Sequence, residues 1–123
     1  MYDEIFYLLG FLFIKHWYVD FVNQTMVEVE SKGHYGEWLG LWHSIKHAIG
    51  TAVVFLIFDV SLIDSVLLGT IDLIIHYHTD WAKVKYNKYK DYTVVDPGFW
   101  SLLGLDQLIH MFTYLFLVWF VIQ

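Results

Sequence analysis

The sequence contains no cysteine and no arginine among its 123 residues. Without cysteine, the chain can form neither a disulfide framework nor a thiolate zinc site. Lysine is the only basic residue, and the formal net charge of −6 argues against nucleic acid as a partner. The first residues, MYDEI, also lack the basic region and the cleavage motif of a signal peptide. We therefore expect the hydrophobic segments to remain in the mature protein.

Charged residues are scarce as well, at 16%, whereas 58% of the residues are hydrophobic and the mean hydropathy is +0.50. These values exceed the usual range of soluble proteins and predict an integral membrane protein with a single domain, residues 1–123. Four apolar stretches stand out: 5–14 with its continuation to 21, then 48–58, 62–75 and 111–122. Each uninterrupted run is shorter than the roughly 20 residues of a spanning helix, but flanking aromatic and histidine residues extend it.

We predict an all-α fold, namely an integral membrane four-helix bundle built from two antiparallel helical hairpins. A soluble four-helix protein is the alternative. The last apolar stretch disfavours that alternative because Phe, Leu, Val and Trp surround the predicted helix on all sides. Such a helix requires either lipid or complete burial around it.

The lysines predict the orientation in the membrane. All seven lie in the two predicted long loops, 23–40 and 81–99, or at the helix ends that lead into them. The opposite side, formed by the N-terminus, the 59–64 turn and the C-terminus, has four acidic residues and no lysine. The positive-inside rule therefore predicts cytoplasmic loops, with both termini on the non-cytoplasmic side of a bacterial inner membrane. The segment KVKYNKYKDY suits either anionic lipid headgroups or a solvated loop.

Four polar pairs with i, i+4 spacing lie at the helix ends next to the long loops, and each pair shares one helix face. They are His16 and Asp20, His43 and His47, His76 and Asp80, and Asp106 and His110. The predicted topology brings all four pairs to one depth, near the cytoplasmic boundary. The deeper layer then holds four histidines, His16, His47, His76 and His110. The shallower layer, about 6 Å away, holds Asp20, His43, Asp80 and Asp106.

Imidazole and carboxylate ligands suit zinc, iron or manganese, and helical bundles supply such ligands from facing helices. We therefore predict that these eight residues bind one or two divalent transition metal ions, with zinc favoured. A single histidine at a membrane boundary is more often a hydrogen-bonded polar residue than a ligand. Four such pairs at one depth in the membrane favour metal binding over this alternative. A weak internal repeat, offset by 60 and 63 residues between the halves, is consistent with two related hairpins.

Four further residues share these helix faces and are candidates for supporting roles. Gln24, Asp72 and Gln107 are expected to contact ligand residues, and Asp72 either orients a ligating imidazole or pairs helices as a protonated acid. Lys83 either neutralises a bound anion such as a substrate phosphate or extends its amine toward the membrane surface. His34 and His78 fall outside the pattern.

The chain resembles a family of small bacterial and phage membrane proteins, the domain of unknown function 3307. The matching motifs are HWYVDFVNQ (16–24), Lys32, HSIKH (43–47), HYHTDWAK (76–83) and DQLIH (106–110). This resemblance covers nearly the whole chain and implies a helical membrane fold. The family is in turn distantly similar to membrane-bound metal-dependent hydrolases, which also carry His and Asp on membrane helices. The third motif departs from the pattern through the additional His78.

Three functions are compatible with these features. The first is a metal-dependent hydrolase acting on a lipid or phosphoester at the cytoplasmic leaflet, with Asp20, Asp80 or Asp106 as general base. The second is a non-catalytic membrane protein with a structural metal, acting through a homo-oligomer or a membrane protein partner. The third is electron transfer through haem or an ion pathway; the absence of arginine for haem propionates argues against haem.

Overall fold

The computed structural model describes residues 2–123, and this range contains five α-helices and no β-strand. The helices are α1 (Tyr2–Trp17), α2 (Met26–Ser31), α3 (Trp38–Ile57), α4 (Leu62–Tyr89) and α5 (Pro97–Val121). A π-helical turn, Tyr18–Val22, continues α1. The predicted all-α fold is confirmed.

Two boundaries differ from the sequence prediction. The loop expected from Trp81 begins later, because α4 continues to Tyr89 and includes most of KVKYNKYKDY. No glycine or proline interrupts this segment, and the helix ends before Asp91, whose φ of 54° is left-handed. The expected loop 23–40 contains the short helix α2, which begins with a Thr25–Glu28 capping box.

Three segments are long and apolar enough to cross a membrane: Tyr2–Val22, Trp38–Ile57 and Pro97–Val121. Helix α4 has 28 residues but is more polar. Its polar side chains Asp72, His76 and Asp80 are buried, whereas Val66, Leu67 and Ile74 are exposed on its outer surface. The polar composition of α4 comes partly from this inward face and partly from exposed residues at its C-terminal end, such as Lys85 and Lys88.

The four long helices contact one another in a closed order, with α1 against α3, α3 against α4, α4 against α5, and α5 against α1. The approach of α3 to α4 depends on Gly69, because a Cβ there would lie 2.5 Å from the carbonyl oxygen of Ala48. An apolar core of Leu8, Leu12, Val54, Phe55, Leu68, Tyr114, Leu117 and Val118 fills one end of this arrangement. The predicted ligands fill the other end.

The distribution of polarity is inverted relative to a soluble protein. Sixteen polar or charged residues of the described chain are buried, against ten apolar ones. Large apolar side chains cover the outside of every long helix, for example Phe6, Val53, Ile63 and Phe116. A water-soluble domain of this size would instead bury its apolar residues and expose its charges.

Candidate metal centre

The Asp20 carboxylate is at the centre of the first group of candidate ligands. The π-helical turn that carries it is closed by the bond from the Asn23 N–H to the Tyr18 carbonyl, at 2.8 Å. Such turns add a residue to a helix and recur at functional sites. This turn buries Asp20, and its Oδ1 lies 3.0 Å from His43 Nε2, 2.8 Å from His47 Nε2 and 3.5 Å from His76 Nε2.

Asp20, His43, His47 and His76 therefore form a four-ligand group whose donor atoms lie within 4.8 Å of one another. The ligands come from the π-helical turn that continues α1, the start of α3 and the middle of α4. The Nε2 atoms of His43 and His76 are 3.3 Å apart. Nitrogen ligands of a tetrahedral zinc ion, each 2.0–2.1 Å from the metal, stand about 3.3 Å apart. The spacing of this group fits such an ion.

His76, Asp80 and His110 form a second, three-ligand group, again with donor atoms within 4.8 Å. Asp80 Oδ2 is 3.2 Å from His76 Nε2, and Asp80 Oδ1 is 3.7 Å from His110 Nε2. Neither Asp80 oxygen receives a hydrogen bond of good geometry, although Lys32 Nζ is 3.0 Å from Oδ2. A buried carboxylate with unused acceptor capacity is costly unless a cation binds it.

The two groups share one imidazole nitrogen, His76 Nε2. A neutral imidazole offers one lone pair, so this atom can complete only one of the two groups at a time. With His76, the first group has four ligands and the second has three. The four-ligand group resembles a closed structural site, and the three-ligand group resembles a catalytic site that keeps a position open.

Two of the eight predicted ligands, His16 and Asp106, lie beside these groups and not in them. Both nitrogens of His16 are already in hydrogen bonds, Nδ1 with the Tyr114 hydroxyl at 2.8 Å and Nε2 with Gln107 Oε1 at 2.7 Å. His16 Nε2 also lies 3.1 Å from Asp20 Oδ2. Asp106 pairs with His110 Nε2 at 2.7 Å.

The residues with predicted supporting roles have different environments. Gln107 contacts His16 and lies within 3.5 Å of Asp20 and Asp106. The Gln24 side-chain amide Nε2 donates to the Asp20 backbone carbonyl at 2.8 Å, so Gln24 contacts the backbone of Asp20 and not its carboxylate. Lys83 Nζ lies 2.7 Å from Asp106 and 3.8 Å from Asp80.

His78 and His34 do not belong to either group. His78 is exposed, with Nδ1 at 2.7 Å from the Ile74 carbonyl and Nε2 at 3.0 Å from the Tyr35 hydroxyl. His34 is also exposed. In the third motif, His76 is therefore the histidine that faces the candidate ligands.

Asp72 bonds to Lys15 and Thr51, and no imidazole bonds to it. Lys15 Nζ is 3.0 Å from Asp72 Oδ2, and the Thr51 hydroxyl donates to the same oxygen at 2.6 Å. The Lys15 ammonium also lies 2.9 Å from the Tyr114 hydroxyl and 3.2 Å from His47 Nδ1. Asp72 is thus linked to a candidate ligand indirectly, through Lys15.

Lys15 lies in the last turn of α1, at the helix end expected from the sequence, but its side chain turns into the interior, which the sequence did not predict. Gly50 makes this possible, since a Cβ there would lie 2.6 Å from Lys15 Cγ. The only signal in the sequence was a lysine next to a histidine inside an apolar run. Its partner Asp72 is 57 residues away, so spacing could not reveal the pair.

The buried polar network ends one turn beyond this pair. On each of the four long helices, the next inward residue is apolar, namely Leu12, Phe55, Leu68 and Leu117. All four are completely buried. This layer lies between the buried polar network and Ser65, which is buried on α4 one turn beyond Leu68.

The short helix α2 brings a second unexpected lysine, Lys32, to the centre. Lys46 on α3 fixes α2 by bonding to Glu28 Oε1 at 2.7 Å and to the Asn23 carbonyl at 2.8 Å. Burial acts to raise the pKa of the Glu28 carboxyl, but the Lys46 ammonium and the Thr25 N–H outweigh it and hold that pKa below its ordinary value. Lys32, at the end of α2, then reaches Asp80 at 3.0 Å.

These features describe an all-helical chain with membrane-length apolar helices and buried His and Asp groups that can hold a metal ion. The sequence profile of the family described as "Protein of unknown function (DUF3307)" matches residues 8–123, and the chain belongs to this family. No curated protein and no solved structure matches the chain.

We expect Lys15→Met to destabilise the protein strongly, because it leaves the Asp72 carboxylate buried without its cation. The loss of unfolding free energy should be about 3–5 kcal/mol, as for other broken buried pairs. Denaturant unfolding in detergent micelles measures it. The double variant Lys15→Met/Asp72→Leu should recover most of the loss, and Lys85→Met, on an exposed side chain, serves as control. A double variant as unstable as the single one would contradict the pairing.

We expect the metal content of variants to show that His76 belongs to both ligand groups. His47→Ala should affect only the four-ligand group and His110→Ala only the three-ligand group, whereas His76→Ala should weaken both. Elemental analysis after gentle purification in detergent, followed by titration with Zn²⁺, measures the retained and rebound equivalents. His34→Ala, on an exposed histidine, is the control. Full metal retention in His76→Ala would exclude the assigned ligands.

Proposed function

We propose that this protein is an integral membrane metal-binding protein that hydrolyses a lipid-linked phosphoester. The observation that carries the proposal is the pair of buried ligand groups joined at His76. Zinc suits the imidazole and carboxylate ligands of both groups, with iron or manganese as alternatives. A divalent ion bound in the three-ligand group would activate water as a nucleophile and stabilise negative charge developing on the substrate.

Membrane insertion is supported by the inverted polarity. Buried charges and exposed apolar side chains are stable together only if lipid surrounds the chain. The finer architecture we propose is a four-helix bundle of two antiparallel hairpins, in which α4 also spans the bilayer. The exposed apolar residues on the outer side of α4, Val66, Leu67 and Ile74 among them, support this role for α4.

We further propose that the metal centre lies near the cytoplasmic face of a bacterial inner membrane. Three of the seven lysines on which this orientation is based turn inward, namely Lys15, Lys32 and Lys83. The orientation then rests mainly on the exposed residues Lys85, Lys88 and Lys90, opposite the acidic end with Asp59 and Asp64. The exposed lysines therefore still lie at one end of the molecule, but they are fewer than the seven counted in the sequence.

This orientation predicts that a reporter fused to the N-terminus is inactive if the reporter works only in the cytoplasm. A fusion of green fluorescent protein and one of alkaline phosphatase, each at the N-terminus, give opposite readouts. We expect phosphatase activity without fluorescence, because both termini should lie outside. A C-terminal pair of fusions is the internal control, and fluorescence at either end would overturn the orientation.

Asp106 is the residue we assign as general base. It belongs to neither ligand group, and it lies 2.7 Å from His110 of the open group and 2.7 Å from the Lys83 ammonium. In the proposed reaction, water adds to phosphorus and Asp106 accepts its proton. The ester P–O bond breaks, and the departing alcohol oxygen takes up a proton. Lys83 is positioned to hold a phosphate oxygen.

The four-ligand group favours a second candidate, a purely structural metal. Four protein ligands close a tetrahedral ion and leave no position for substrate, and such an ion would tie α1, α3 and α4 together. In that case the protein would act through a membrane partner or a second copy of itself.

A hydrolysis assay on metal-loaded protein separates the two candidates. The substrates are dioleoyl phosphatidic acid and dioleoyl phosphatidylglycerol in uncharged mixed micelles, with released phosphate and lipid products quantified. Asp106→Asn should lower the rate by about 10²–10⁴-fold, the usual contribution of a general base, while metal content is kept. Asp64→Asn, exposed at the start of α4, is the control. A metal-loaded wild type that cleaves neither ester favours the structural role.

A further inference from the structure

A groove between α4 and α5 opens on the outer surface and reaches Asp106, which pairs with His110 of the three-ligand group. Its volume is about 440 Å³, within the roughly 300–1,000 Å³ range of small-molecule sites. Its wall is apolar, formed by Ala82, Leu102, Leu105 and Ile109. Lys83 and Asp106 stand at its polar end. We propose that this groove binds an acyl chain of a phospholipid and holds the lipid's anionic phosphate at Lys83.

The polar end of the groove is continuous with the candidate metal centre. Asp106 connects the two, because Oδ2 bonds to Lys83 at 2.7 Å and Oδ1 lies 2.7 Å from His110 Nε2. Asp80 of the three-ligand group is 3.8 Å from Lys83 Nζ. A phosphate at Lys83 therefore lies next to the group that has an open position.

The position of the groove determines the class of ligand. Its α5 wall belongs to the membrane-length segment Pro97–Val121, and Leu105 is half exposed there. An apolar groove open sideways on such a helix is filled from the bilayer, so its occupant is a lipid chain. Beyond Lys83, α4 carries the exposed residues Lys85 and Lys88, which favour an anionic headgroup at this end.

The charge at Lys83 sets a condition on headgroup binding. Lys83 faces the carboxylates of Asp106 and Asp80, and Lys32 also pairs with Asp80, so the polar end has no excess of positive charge. A divalent cation at the three-ligand group would supply that excess and so strengthen the binding of an anionic phosphate. This inference rests on the proposed function at that point, and it predicts that Zn²⁺ strengthens binding of the phosphate-bearing lipid but not of an uncharged one.

The test is photo-crosslinking with a phosphatidic acid that carries a diazirine at the end of one acyl chain. Detergent-purified protein is labelled with and without Zn²⁺, in competition with unlabelled dioleoyl phosphatidic acid or dioleoylglycerol. We expect labels on α4 and α5 residues of the groove wall. Phosphatidic acid should compete better than dioleoylglycerol, and this preference should increase with Zn²⁺.

Matched variants separate the groove from the general lipid surface. Leu105→Trp fills the groove and should weaken labelling at least about tenfold. Leu108→Trp is the control, because Leu108 is 47% exposed against 51% for Leu105 but does not line the groove. Lys83→Met should remove the preference for phosphatidic acid, whereas Lys85→Met should keep it. Metal content measured on each variant verifies the fold.

Equal labelling in Leu105→Trp and Leu108→Trp would overturn the groove, and so would an unchanged headgroup preference in Lys83→Met. Failure of the proposed function gives a different result. If the protein binds phosphatidic acid in the groove but cleaves no phosphoester when loaded with metal, the lipid site is supported and the hydrolase proposal is contradicted. If the protein hydrolyses the lipid but labelling is unaltered in Leu105→Trp, the hydrolase proposal is supported and lipid binding in the groove is contradicted.

Discussion

The structure depends on one constraint: charged groups buried among membrane-length helices must find partners inside the chain. The Asp20 carboxylate meets this constraint with three imidazole Nε2 atoms from α3 and α4 within 3.5 Å. Lys15 and Asp72 meet it with each other, at 3.0 Å. Removing either kind of partner would leave a charge in a medium of low polarity, where its cost is several kcal/mol. The helices therefore pack in the arrangement that brings these partners together.

The same constraint divides the interior into two ends with different tasks. At one end, the apolar core around Phe55 and Leu68 packs the helices without polar groups. At the other, imidazoles and carboxylates converge, with Lys32 and Lys83 contributing positive charge beside Asp80 and Asp106. The Lys15 network separates the two ends. A site of this kind gains its electrostatic strength from the low polarity around it, which suits cation binding and the stabilisation of charge in a reaction.

The two candidate ligand groups are chemically unequal because of their surroundings. The group around Asp20 is enclosed by α1, α3 and α4 and has a full set of four ligands. The group around Asp80 has three and adjoins Asp106, Lys83 and the groove between α4 and α5. Because His76 Nε2 completes one group at a time, an ion in the first group would be structural and an ion in the second would be reactive. The ligand numbers and the access to each group support this assignment of roles.

The sequence by itself determined the helical fold and which polar residues pair on one helix face, because i, i+4 spacing places both side chains on the same face. It also carried the family motifs that match residues 8–123. Only the tertiary structure decided which side chains aim at a common point. His16 and Asp106 have the same spacing as the others, yet Tyr114, Gln107 and Lys83 engage them outside the two groups. The Lys15–Asp72 pair and the position of Lys32 depend on contacts between distant segments, and local spacing carries no information about how neighbouring helices rotate against each other.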